Sequence, residues 1–318
     1  MAGKRRNKAF FGTVSDTDLR LMRVFSKVVE CGSFSAAETE LGVGRSTISR
    51  HLSDLETRLG VRLCHRQRGR SGLRLTEQGS LALEYIEQLL IATNEFSINI
   101  SSITDDIVGT LRVGVVDYTF SDPQNPLLDA LHRYALFAPN VIIDISVGAP
   151  REIERKLIDG RLHCGIVMNY QMLPELSYER LYVERNTLYA GGNHPVARKI
   201  RNGEQVSEAE VYRYELIYRG YREADIQIDL KQRFARGPTV LETEAVDMLV
   251  RSGIYLGFLP SHTRSPQVDG CVEVLPHVFE YRYPINLVWS KNRDHSALLE
   301  EFLRIIRATK KDAAHSGF

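Results

Sequence analysis

Residues 25–79 read FSKVVECGSFSAAETELGVGRSTISRHLSDLETRLGVRLCHRQRGRSGLRLTEQG, and the apolar spacing inside this stretch decides the N-terminal architecture. From Arg45 to about Leu59, the residues Ile48, Leu52, Leu55 and Leu59 recur at steps of four, three and four, one face of a helix. The opposite face carries Arg45, Ser46, Thr47, Ser49, Arg50 and Ser53. Short polar and arginine side chains at a helix N-terminus suit a major groove, where they reach base edges and phosphates. Upstream, Leu21, Met22, Phe25, Val28 and Val29 predict a helix over 18–30 that Gly32 stops. Ser35-Ala-Ala-Glu38 has the spacing of a capping box for a second helix, in which Ser35 caps and Glu38 reaches back. Ala36 and Ala37 let that helix approach a neighbour closely, and Leu41-Gly42-Val43-Gly44 makes the tight turn into the third.

Downstream, VRLCHRQRGRSGLRLT (61–76) places Arg62, Arg66, Arg68, Arg70 and Arg74 around a Gly-Arg-Ser-Gly turn. Two short strands flanking that turn would form a wing whose arginines meet phosphate or the minor groove. The whole stretch resembles the DNA-binding domain of LysR-type transcriptional regulators. The matching residues are Gly-Ser-Phe-Ser-x-Ala at 32–37, Leu41, Ile48-Ser49-Arg50, Leu55-Glu56, Leu59-Gly60, Arg66 and Leu75-Thr76. The resemblance implies a helix-turn-helix over Ser33–Leu52, with Arg45–Arg50 as the main contact surface and Ser33, Ser35, Ser53, Arg66, Arg68 and Arg70 as further DNA contacts. Three positions depart from the family pattern. Gly44 stands for a capping serine, Arg45 for a commoner glutamine and Cys64 for a phenylalanine.

Beyond Thr76, Ala82, Ile86, Leu89, Thr93, Phe96, Ile100 and Ile103 alternate by four and three. This is either a coiled-coil seam between two chains or a face packed on the helix's own domain. The resemblance favours a homodimer, and pairs of dimers as a homotetramer. From Gly109 the period changes to strand-like runs at 111–117, 141–148, 164–168, 187–192, 215–218, 239–243, 254–260 and 285–290, many separated by helix-like segments. Alternating strands and helices predict parallel sheets wound on both faces, and their number fits two α/β subdomains. Here the resemblance implies a periplasmic-binding-protein-like effector domain. The expected organisation is a basic arm (1–15), a winged helix-turn-helix (16–76), a linker helix (77–105) and a regulatory domain (106–318). Within the last, subdomain I takes about 109–171 and 281–308, and subdomain II about 172–280.

In open α/β sheets ligands bind beyond the carboxyl ends of strands. That rule selects Asp117, Tyr118 and Thr119 after the first strand, facing Val147, Gly148, Ala149, Met168, Asn169, Thr243, Glu244 and Phe258. Free amides of the helix following Thr243 would hold a small anion or carboxylate.

Residues 1–76 hold 15 Lys and Arg against 7 Asp and Glu, while the remainder holds 26 against 33. A basic quarter on an acidic remainder suggests that one end meets a polyanion. There is no run of about eighteen apolar residues, no secretory leader, and no CxxC among Cys31, Cys64, Cys164 and Cys271. No hydrolase, metalloprotease or phosphate-loop motif occurs, so the reading is a cytoplasmic non-enzyme without cofactor, catalytic or metal site. Its expected partners are double-stranded promoter DNA, a small-molecule effector, a second copy of itself and RNA polymerase, with no membrane. Two alternatives stay open: a regulator switched by oxidation of Cys164 or Cys271, and a solute-binding protein.

Overall fold

A computed structural model of the chain describes residues 13–65, 73–102, 107–168, 171–220, 232–263, 270–292 and 296–315. These fall into two units that divide between Ser97 and Ile98. Among them no helix is long and apolar enough to cross a membrane. The expected sites Arg66, Arg68, Arg70 and Asn169, and the stripe residue Ile103, lie outside the described residues.

In the first unit, α1 (Asp16–Glu30) starts at a capping box. The Ser15 hydroxyl accepts the Asp18 amide, and the Asp18 carboxylate accepts the Ser15 amide at 3.0 Å. Asp18 is buried, and Arg58 clamps it with two hydrogen bonds of 2.8 and 2.7 Å. These bonds, first from Arg58 and then from Ser15, hold the Asp18 carboxyl well below the usual carboxylate range. The pair therefore fixes α1 against the far end of α3 (Arg45–Leu59). Phe25, Val28, Ile48, Leu55 and Leu63 fill the core between them.

The second helix, α2 (Phe34–Leu41), corrects the expected capping box. Ser33, not Ser35, is the N-cap and accepts the Ala36 amide at 3.2 Å. After α3, Gly60 takes φ 69°, a left-handed turn that glycine adopts without strain. A single antiparallel bridge, Cys64 to Leu75, brings the chain back to α4 (Glu77–Ser102). Part of the expected seam on α4 is internal: Ile86 is buried in this unit's own core, with Ala82, Leu83, Leu89 and Leu90 packed against it. Of the stripe, Phe96 and Ile100 are exposed, as are Leu81 and Tyr85 elsewhere on α4. A heptad fixes which residues share a face and leaves open what covers it.

The second unit is one mixed sheet in two lobes. The first lobe holds β1 (Gly109–Val115), β2 (Val141–Val147) and β3 (Cys164–Met168), paired in parallel around β1. The helices α5 (Leu127–Phe137), α6 (Pro150–Ile158) and α10 (Ala297–His315) belong to it, and the Phe302 ring meets Tyr134 edge-on at 5.4 Å. The long strand β4 (Leu176–Ala190) leaves this lobe and β9 (Glu280–Ser290) returns to it. They pair antiparallel from Leu176↔Ser290 to Thr187↔Glu280, with a register shift between Arg180 and Tyr182.

The second lobe adds α7 (Pro195–Arg201), α8 (Glu208–Val211), β5 (Glu215–Arg219), β6 (Ala235–Val240), α9 (Thr243–Arg251), β7 (Leu256–Pro260) and β8 (Val272–Glu273). The sheet order is β2-β1-β3-β9-β4-β7-β5-β6, with β8 on β4. The two crossing strands run antiparallel to their neighbours, so the sheet is mixed where wholly parallel sheets were expected.

Candidate nucleic-acid interface and effector cleft

On α3 the core face is Ile48, His51, Leu52 and Leu55, all buried, and 3.6-residue periodicity turns Arg45, Ser46, Ser49 and Arg50 outward, all exposed. Thr47 and Ser53 flank that row, half-buried. Neither Arg45 nor Arg50 has a side-chain ion-pair partner among the described residues. Arg58, lower on the same helix, is committed to Asp18. Ser35 is exposed at the start of α2, while the Ser33 oxygen is engaged as a cap.

Gly44 provides no side-chain cap for α3. Its place is taken from another helix: the Glu38 carboxylate accepts the Arg45 amide at 3.2 Å. A negative charge at that end also complements the helix dipole. Glu38→Ala is expected to cost the winged-helix unit about 1 kcal/mol in urea unfolding, the usual worth of a cap. A methyl at Gly44 would meet nothing nearer than Glu38 Oε1 at 3.9 Å, so Gly44→Ser added to Glu38→Ala should recover most of that loss.

In the second unit the structure joins some of the expected cleft residues and separates others. Asp117, just past the carboxyl end of β1, reaches the second lobe, where its Oδ2 accepts the Thr243 amide. Thr243 is the first residue of α9 and Glu242 its N-cap. The foremost amide of that helix end is therefore not free; an anion of the chain itself holds it. Arg219, at the carboxyl end of β5, completes the group: Nη1 donates to Thr243 Oγ1 at 2.9 Å, and Nη2 lies 3.8 Å from Asp117 Oδ1. Arg219 had gone unnoticed in the sequence, although it closes the strand-like run ELIY by one residue.

Of the remaining positions, Tyr118 is half-buried with φ 61°, Gly148 and Ala149 are half-buried, and Val147 and Glu244 are exposed. Three further positions are buried. Thr119 is buried and turns its hydroxyl onto the Val116 carbonyl at 3.1 Å. Met168 is sealed in the first lobe's core. Phe258 belongs to the second lobe's core, with its ring 5.0 Å from that of Tyr281. Both β3 and β7 are inner strands of the sheet, and Met168 and Phe258 on them are 5% and 7% exposed.

A profile described as "Bacterial regulatory helix-turn-helix protein, lysR family" matches residues 19–80, and one described as "LysR substrate binding domain" matches residues 104–311. Over 305 residues the chain is 35% identical to the HTH-type transcriptional activator BauR of Pseudomonas aeruginosa, an alignment covering 95% of this chain and 98% of BauR. Among solved structures it resembles CbnR, a LysR family transcriptional regulator, with a TM-score of 0.65 at 19% identity, covering 92% of this chain and 99% of that one. The structure of full-length CbnR complexed with target DNA gives a TM-score of 0.63 at 20% identity, with coverage of 92% and 99%.

Proposed function

The chain belongs to the LysR family and is a transcriptional regulator with a helix-turn-helix and an effector-binding domain; from that premise we propose how its own residues serve the two tasks. Arg45, Ser46, Thr47, Ser49 and Arg50 enter the major groove of double-stranded promoter DNA, and Arg50 holds phosphate while Arg45 and Thr47 read bases. The observation that supports this is the outward row on α3, whose two arginines have no ion-pair partner among the described residues. Arg50→Ala should weaken binding on every sequence and lower the slope of log affinity against log salt by about 1. An unchanged slope in fluorescence anisotropy would remove the phosphate role from Arg50.

In the effector domain, a small carboxylate competes with Asp117 for the Thr243 amide and Arg219, and so releases a bond that ties the lobes. A tethered internal anion acts as a competitor at high effective concentration. In a calorimetric screen of the full chain against small carboxylates and aromatic acids, Asp117→Ala should bind the effector about 10-fold more tightly than the parent. Loss of binding would instead make Asp117 a direct contact to a cationic or hydroxyl-bearing effector.

Closure or release of the cleft shifts the population of lobe arrangements, alters how copies sit on DNA, and so changes promoter access for RNA polymerase in the cytoplasm. Self-association fits the edge position of β2, which exposes Ile142, Ile145 and Val147, while α5 exposes Leu136 and Phe137. Thiol oxidation fits less well. Cys164 is fully buried, and burial pushes its thiol up to about 12; Cys271 is buried as well. No step of this reading requires catalysis.

A further inference from the structure

Asp122, Glu184 and His262 stand far apart in the sequence, yet one potential ligand atom of each lies within 4.8 Å of the others. Asp122 comes from the first lobe, just after the turn that follows β1. Glu184 lies on the crossing strand β4, and His262 follows β7 in the second lobe. Their side chains are only 5%, 3% and 7% exposed. Two carboxylates at that depth, with no lysine or arginine ion-paired to either among the described residues, favour a compensating cation beside them.

One imidazole cannot supply it evenly. His262 Nε2 sits 3.1 Å from Glu184 Oε1 and 3.7 Å from Asp122 Oδ2, and a single N–H serves one of them.

The outer partners are arranged as a metal site requires. On Glu184, Oε2 accepts Asn186 Nδ2 at 3.1 Å and the Tyr283 hydroxyl, which leaves Oε1 turned to His262. On Asp122, Oδ1 accepts the Gln124 amide at 2.8 Å, which leaves Oδ2. On His262, Nδ1 pairs with Ser121 Oγ at 3.0 Å, which leaves Nε2. Holding the far atom of each ligand in this way fixes both ring orientation and tautomer.

The distances also fit. Around an ion with ligand bonds of 2.0–2.1 Å, tetrahedral edges are about 3.3–3.5 Å, and the two separations from Nε2 fall on either side of that. A second, independent observation comes from Tyr182, which is 5% exposed and whose hydroxyl has no hydrogen-bond partner among the described residues. Tyr182 stands two residues before Glu184 on β4, so strand alternation puts the two side chains on the same face of the sheet.

We propose that Asp122, Glu184 and His262 bind one divalent first-row transition-metal ion where the two lobes meet, with the Tyr182 hydroxyl facing it. One imidazole with carboxylate oxygens is a donor set suited to Zn2+, Co2+ or Mn2+ rather than to a soft ion. Since the ligands come from both lobes and from the strand between them, the ion braces the lobes independently of whatever occupies the cleft at Asp117.

The test uses the full chain, stripped with chelator and titrated with Co2+ and Mn2+, which thiols hold less avidly than Zn2+. One equivalent of Co2+ should bind and give visible absorption bands of a site with nitrogen and oxygen donors. Glu184→Gln and His262→Gln should abolish that equivalent, with circular dichroism confirming that each variant is folded. Ser121→Ala, at an exposed position, should weaken it by about 10- to 100-fold through the outer hydrogen bond alone. No bound equivalent in the parent would overturn the proposal. So would an equivalent that survives undiminished in both His262→Gln and Ser121→Ala, since the ion would then sit elsewhere.

Discussion

A Gly79→Ala chain is expected to lose about 3 kcal/mol of stability in its first unit, and its specific DNA binding with it. Gly79 lies in the first turn of α4, where its amide donates to Thr76 Oγ1 at 2.8 Å. The same hydroxyl donates to the Arg62 carbonyl at 2.6 Å, so the helix start is pinned to the segment that follows α3. A β-carbon on Gly79 would stand 2.0 Å from the Leu63 carbonyl oxygen and 2.8 Å from its carbon. Both are backbone atoms, and no rotamer change relieves them. Leu63 is itself fully buried, so it cannot retreat without disturbing Phe25 and Leu55. Calorimetry should show the winged-helix transition lowered by roughly 15 °C, with the transition of the second unit unmoved. A shift below about 3 °C would mean that α4 can start differently at little cost.

The complementary result is expected from Phe302→Ala, which should cost the second unit about 4 kcal/mol. Phe302 is fully buried on α10, and its ring stands at 87° to Tyr134 of α5. Tyr134 in turn donates to the Leu298 carbonyl at 3.1 Å, so aromatic contact and hydrogen bond together lock α5 to α10. Removing the ring leaves a cavity between two helices and one face of the sheet. The second transition should fall by roughly 12 °C while the first stays in place. Phe302→Leu, which keeps much of the volume, should recover more than half of the loss. Equal losses in the two variants would show that the site collapses without forming a cavity.

The reading of α3 from sequence succeeded because everything it needed was local. Four apolar residues at helical spacing fix a face, and the arginines on the other face follow from geometry alone. The capping residue of α2 was misjudged because Ser35 and Glu38 matched a local pattern. Glu38 instead reaches past a turn to Arg45, seven residues ahead, and no short-range rule anticipates that. The second unit shows the same limit on a larger scale. Strand-like runs located most strands, but the start of β4 and the start of β9 were not picked out, because Glu179, Arg180, Glu184 and Arg185 in one and Glu280 and Arg282 in the other break up any apolar run. Asp117 was selected from its place after β1, yet its partners Thr243 and Arg219 are more than a hundred residues away. Asp122, Glu184 and His262 carried no signal at all, since only the crossing topology brings them together.

The β4–β9 ribbon also decides what kind of message the effector domain can send. Two hydrogen-bonded strands resist stretching, and a slide by one residue would turn every side chain to the opposite face. What remains soft is rotation about the ribbon's long axis, concentrated where the pairing steps between Arg180 and Tyr182. The lobes are thus joined by a torsion bar, and a ligand acting across it delivers torque, read out as an angle and not as a distance.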